Sequence, residues 1–151
     1  MAYTGSQAQA GRLAQLAINT GSTTTPVWTT VGEVKDAAQS GAAWGTVDVT
    51  NFESGINKEF ITTIRDNGIW KLTCNRVSGD AGQVALKAAY ASGLAAMFQL
   101  TYPLSGAQTA GDTDSFSALV ESVDVDVSTE KAIEMSVALK VTGAITSVVG
   151  A

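Results

Sequence analysis

A mainly β fold with one flanking helix is what this sequence predicts, and three observations carry it. Short runs of alternating apolar and polar residues recur along the chain, separated by Gly, Ser, Asn and Asp turn residues. Only residues 80–93 keep a helical spacing with a cap at each end. Gly 15 in 151 residues and a charged fraction of only 15% suit tight turns and a weakly polar surface. A chain of this length forms one domain and can bury roughly 70% of its unfolded surface. Two packed antiparallel sheets, or a partly open β-barrel, with the helix across one end are the arrangements that satisfy these patterns.

Element by element, residues 1–11 are small and polar and read as an N-terminal arm. Leu13, Leu16 and Ile18 mark a first strand within 12–19, and TGSTTTP at 20–26 is a turn. Residues 27–35 read as a second strand and 36–45 as a small-residue loop. A third strand covers 45–51, and residues 52–68 form a long loop ending in the turn Asp66-Asn67-Gly68. The next strand, 69–77, places Trp70, Leu72 and Cys74 on one face. Asp80 is a helix N-cap with Gln83 at capping-box spacing. Leu86 and Tyr90 form one apolar stripe, and Gly93 supplies the stop. Residues 94–102 make a strand whose Phe98, Leu100 and Tyr102 face together, and 104–114 a flexible hairpin loop. The strand at 116–127 changes apolar phase near Glu121-Ser122, which predicts a β-bulge. In 132–142, Ile133, Met135, Val137, Leu139 and Val141 all fall on one face. Residues 144–151 read as a C-terminal arm.

Several chemistries are excluded or weakened. The chain has His 0, which removes histidine triads and histidine-bound zinc. Cys74 stands alone, so there is no disulfide framework or multi-cysteine metal site, and a buried core thiol is the expected role. No phosphate-binding glycine motif is present. Asp112 with Asp114, and Asp124 with Asp126, stand two apart and could hold a metal. A polar loop and a solvated strand face explain them better. A net charge of −5 without a basic cluster argues against sequence-independent nucleic-acid binding. Neither a signal peptide nor a membrane span is expected. No enzyme activity, catalytic residue, cofactor or metal is expected. An enzyme or small-ligand β-sandwich is the distant third reading.

The long loop is the most informative segment. It carries Phe52, Ile56, Phe60, Ile61 and Ile64, too much apolar surface for a free loop, and loops of this length usually have a function. Burial by another subunit accounts for them, while packing beneath the chain's own helix is the alternative.

The sequence DVTNFESGINKEFI at 48–61, followed by a strand, an acid-capped helix and two further strands, resembles the major tail tube proteins of long-tailed bacteriophages. The resemblance spans about residues 34–143. It implies a single tail-tube domain, 1–151, that forms hexameric rings with a continuous inner β-barrel. The rings stack into a hollow tube that conducts DNA into the host cell. The tube component of a bacterial contractile or type VI secretion system (Hcp-like) is the related alternative. The resemblance makes 52–68 the inter-ring loop, with Phe52, Glu53, Ile56, Lys58, Glu59, Phe60, Ile61 and Arg65 as contacts. Asp48, Asp124, Asp126 and Glu134 become lumen candidates, a solvated outer face being an equal reading for each. A carboxylate lining repels DNA at short range, whereas a basic one would hold it. The implied partners are the chain itself and the tail terminator, tape-measure and baseplate or tip proteins. DNA passes without specific binding, no membrane is engaged, and the subunit is assembled in the host cytoplasm into the virion tail.

Overall fold

The computed structural model describes residues 8–151. The described strands, in chain order, are β1 (Gln15–Asn19), β2 (Trp28–Thr30), β3 (Val34–Ser40), β4 (Ala43–Asp48), β5 (Phe60–Asp66), β6 (Ile69–Asn75), β7 (Ala96–Thr101), β8 (Thr113–Asp126) and β9 (Glu134–Val148). The helix α1 (Ala81–Ser92) lies between β6 and β7. The fold is thus mainly β, with two antiparallel sheets and one helix. Seven strands form one sheet in the order β2-β1-β7-β8-β9-β6-β3, and β4 pairs with β5 in a second.

Topology forces the large sheet to curl. Its two edge strands, β2 and β3, are joined through Val31, Gly32 and Glu33 alone. Laid flat, seven strands would hold those edges ~29 Å apart. The connection reaches ~14 Å at most. The long β8–β9 pair makes the bend. β7 pairs only with residues 113–118 of β8, and β6 only with residues 134–140 of β9. The β8–β9 register shifts between Ser115 and Ser117 and again between Val120 and Ser122, the second at the expected bulge. One layer is therefore β2-β1-β7 with the start of β8 and end of β9. The other is β3-β6 with the remainder of the long pair.

The core lies between these layers. Phe116 stacks at 5.9 Å on Phe98, its partner on the neighbouring strand β7, and at 6.0 Å on Trp70 of β6, a strand that does not pair with β8. Leu16, Ile18, Leu72, Met135 and Leu139 fill the space around them. Cys74 is buried there as a core thiol, and burial pushes its pKa up.

The helix is seated by its first turn. Asp80 Oδ2 accepts from Gln83 N and from Gly32 N, both at 3.0 Å, so one carboxylate caps the helix and holds the β2–β3 connection. Gln83 is buried, but it does not close the expected capping box. Its Nε2 donates to Gly32 O and Asn75 O, and its Oε1 accepts from Val77 N. A side chain at Gly82 would run into Thr30 O, so the close approach of helix and strand requires glycine. Asp80→Ala is expected to cost about 1–2 kcal/mol, read as a lower urea midpoint at unchanged slope.

Five expectations are corrected. Residues 27–35 hold two strands, because β2 and β3 lie on opposite edges. Residues 36–45, expected as a loop, are strand through Ser40 and again from Ala43. Residues 60–66 of the expected 52–68 loop form β5, paired with β4. The 144–151 segment is no free arm: β9 continues to Val148, and Gly150 N donates to Asp112 Oδ1. Tyr90 is half exposed, since only Leu86 of the predicted helix stripe is buried. Most of the N-terminal arm, residues 1–7, lies outside the described residues. Gln9 Nε2 donates to the carbonyl of Leu104.

Candidate functional site

The β3–β6 pair does not stop at the sheet. Ser40 faces Ile69, and after a corner Ala43 faces Asp66, so the two strands continue outward as the β4–β5 ribbon. Gly41 and Gly68 make the corner at φ 78 and 79. A side chain at Gly68 would collide with Ser40 O. The base is pinned: Lys140 Nζ reaches both Asp66 oxygens at 3.0 Å, and Asn67 Nδ2 donates to Gly143 O at 2.6 Å.

Every residue of β4 and β5 is exposed. The register puts Trp44, Phe60 and Arg65 on one side and Val47 and Ile61 on the other. Apolar side chains therefore stand on both faces. Phe52 and Ile56 at the tip are fully exposed, and Ile64 is 84% exposed. An isolated two-stranded hairpin is marginal in water. Large exposed apolar patches mark interaction sites. The tip is nevertheless ordered by its own hydrogen bonds. Asn51 Oδ1 accepts from Glu53 N, Ser54 Oγ accepts from Asn51 N, and Thr50 Oγ1 accepts from Glu59 N. Glu59 also accepts from Ser54 Oγ at 2.7 Å. Of the predicted contact residues, all eight share this projection. Trp44, Val47 and Ile64 belong with them; Arg65 lies over the Trp44 ring at 5.4 Å.

The second candidate surface is the face of the β3-β6-β9-β8 layer turned away from the core. Asp36, Thr73, Ser136 and Asp124 form one row across its four strands, and Asn75, Glu134 and Asp126 a second. Three of the four predicted lumen carboxylates thus share one face, joined by Asp36. Asp48 is on the ribbon instead, where its Oδ1 accepts from Thr50 N. Two of the three are paired: Lys35 with Glu134 at 2.7 Å and Lys131 with Asp126 at 2.6 Å. Asp124 has no ion pair among the described residues. Elsewhere, Asp114 accepts from Tyr102 and Ser147, and Asp112 from Gln108. Burial and Asp114 push Tyr102 up to about 12.

Hydrogen bonds from Thr50 hold Asp48 below the usual carboxylate pKa. The Gly68 N–H, then Lys140, does the same for Asp66. Groups depressed in the folded state contribute stability above their unfolded pKa, near ~4, and lose it as pH falls through the folded value. Protection of the Thr50 and Gly68 amides, corrected for intrinsic exchange rates, is therefore expected to fall as the pH drops below about 4, by more than that of core amides over the same range.

A curled antiparallel body that holds an ordered, apolar ribbon in solvent has the form of a structural protein with a docking surface. The model of the lambda phage tail tube protein family matches residues 17–147, and the chain belongs to that family. It is a structural subunit of a phage tail tube. The tail of an empty gene transfer agent particle, solved with C6 symmetry, has a similar fold: TM-score 0.71, 20% identity, covering 92% of this chain and 98% of that one. The SPP1 tail tube gives TM-score 0.69 at 19% identity, over 91% of this chain and 77% of its own. A chain of the anti-feeding prophage baseplate gives 0.71 at 8%, over 96% and 97%. At these identities the likeness is one of fold. No curated protein matches the chain in sequence.

Proposed function

We propose that the chain forms hexameric rings that stack into a hollow tube, the β4–β5 ribbon making the contact between rings. The observation that carries this reading is the ribbon itself, ordered yet apolar and exposed on both faces. A second copy covering it removes that surface from water. The solved gene transfer agent tail, with its C6 symmetry, supports the ring.

Ring closure has a ready route in two open edges. Among the described residues, β3 ends the sheet, and no strand pairs with β8 beyond Ala118 on the side away from β9. Unpaired edges recruit strands from other chains. Pairing β3 of one copy with the free half of β8 in the next would make the four-strand layer continuous around a ring. Its polar outer face would line the channel, Asp36 and Asp124 supplying unpaired carboxylates. Lys71 and Lys140 stand on the same face, but Lys35, Lys131 and Lys140 are each paired with a carboxylate, which leaves Lys71 as the one lysine of this face without an ion pair among the described residues. DNA would pass with little adhesion, because a single unpaired lysine per subunit holds phosphate weakly. Within the virion tail, the tube would meet terminator, tape-measure and baseplate or tip proteins, after assembly in the host cytoplasm.

Electron microscopy of the purified protein tests the stacking: hollow tubes are expected, and a stable monomer at high concentration counts against it. A phage carrying Asp36→Lys with Asp124→Lys should assemble normally and deliver DNA more slowly. Unchanged delivery would put that face outside the channel.

A further inference from the structure

A cavity of about 660 Å³ opens between the β1–β7 and β3–β6 layers, lined by Leu16, Val34, Ala37, Trp70, Leu100 and Tyr102. Trp70 is only 8% exposed, and its buried indole Nε1–H reaches no acceptor among the described groups. Buried donors are normally satisfied, so an unpaired one bordering a cavity calls for an incoming acceptor. At the rim stand Arg12 and Leu13, both exposed. Leu13 adopts φ 75, a left-handed conformation that non-glycine residues rarely take and that concentrates at binding sites. Arg12 makes no ion pair among the described residues, whereas Lys35 at the same rim is committed to Glu134.

The ribbon tip carries the complementary set. Phe52 and Ile56 are fully exposed, and Glu53 beside Phe52 makes no ion pair among the described residues. The cavity borders the first half of β3, and the tip lies beyond that strand's far end. Cavity and tip are thus two different surfaces at opposite ends of one strand path. A contact between them is head-to-tail, the kind that runs on from copy to copy unless the rotation between copies closes it into a ring.

We propose that this cavity is the socket for the ribbon tip of a second copy of the chain. Phe52 enters among Leu16, Trp70 and Leu100, Glu53 pairs with Arg12, and a polar group of the tip accepts from Trp70 Nε1. This rests on the stacking reading and names the surface that receives the ribbon.

The test is site-directed cross-linking of assembled full-length protein carrying Arg12→Cys and Glu53→Cys, with a short bis-maleimide. Cys74 is buried and does not compete. A ladder of covalent oligomers is expected from the double variant, with at most dimers from either single variant. Normal tubes without a ladder overturn the socket and leave stacking intact. Failure of the unmodified protein to form tubes overturns the stacking reading instead. A charge exchange covers the case in which the cysteine variant does not assemble. Arg12→Glu or Glu53→Arg alone should raise the concentration needed for tubes about tenfold, since a weak exposed pair is repeated in every subunit of a ring. Combining the two should restore it. A combination no better than the singles overturns the pairing.

Discussion

Replacing Phe52 and Ile56 by Ser should leave a folded subunit that no longer forms tubes. Both side chains are fully exposed in the single chain, so the change removes no contact from the body's core. The Asn51, Ser54 and Thr50 hydrogen bonds that order the tip do not involve these two side chains. Burying one such side chain is worth about 2 kcal/mol, hence about 4 per subunit and about 24 across one hexameric ring junction. A loss of that size moves assembly out of any practical concentration range. Sedimentation of assembled material reads the effect, and circular dichroism checks the fold. Tubes forming at the original concentration would show that the ribbon tip is not the axial contact.

Phe116→Ala should have the largest effect on the subunit itself, about 3–5 kcal/mol. The ring sits between Phe98 and Trp70, and those three aromatics join β7, β8 and β6 across the core. Removing the middle one leaves a cavity and ends both stacks. Total stability of a domain this size is about 5–15 kcal/mol, so the variant should approach half-unfolded at modest urea. The measurement belongs in dilute solution, where assembly does not add stability by mass action. A change below about 1 kcal/mol would mean that the two layers are not held together through this aromatic stack.

What the sequence made legible follows from where each strand sits. β6 and β9 have one face against the core, so Trp70-Leu72-Cys74 and Met135-Val137-Leu139-Val141 alternate cleanly. The Glu121-Ser122 phase change could be read because the strand continues inward on both sides of the bulge. The helix declared itself through Asp80, Gln83 and Gly93. β5 could not be read by period, because neither face of the ribbon meets the core of its own subunit. Its Ile61-Thr62-Thr63-Ile64 run of β-branched residues was the available clue. β3 is Ala-rich and lies at an edge, with weak propensity and little burial. Glycine at 143 suggested that the last strand had ended, whereas β9 passes through it with φ 81.

The candidate site was legible to the same extent. Phe52 and Ile56 stood out as apolar residues in a polar context. Three of the carboxylates reached a common face through strand alternation. Asp48 did not, because its strand leaves the sheet at the Gly41 corner. The Lys35–Glu134 pair brings distant segments together through strand pairing that no local pattern reveals. Arg12 and the cavity it borders depend on the curl of the whole sheet.

The most direct test of ring stacking through the ribbon is cryo-electron microscopy of the purified, assembled protein. The expected map is a hollow tube of sixfold rings, with each β4–β5 ribbon covered by a subunit of the adjoining ring. A tube whose ribbons remain in solvent, or a protein that stays monomeric at every concentration, would contradict it.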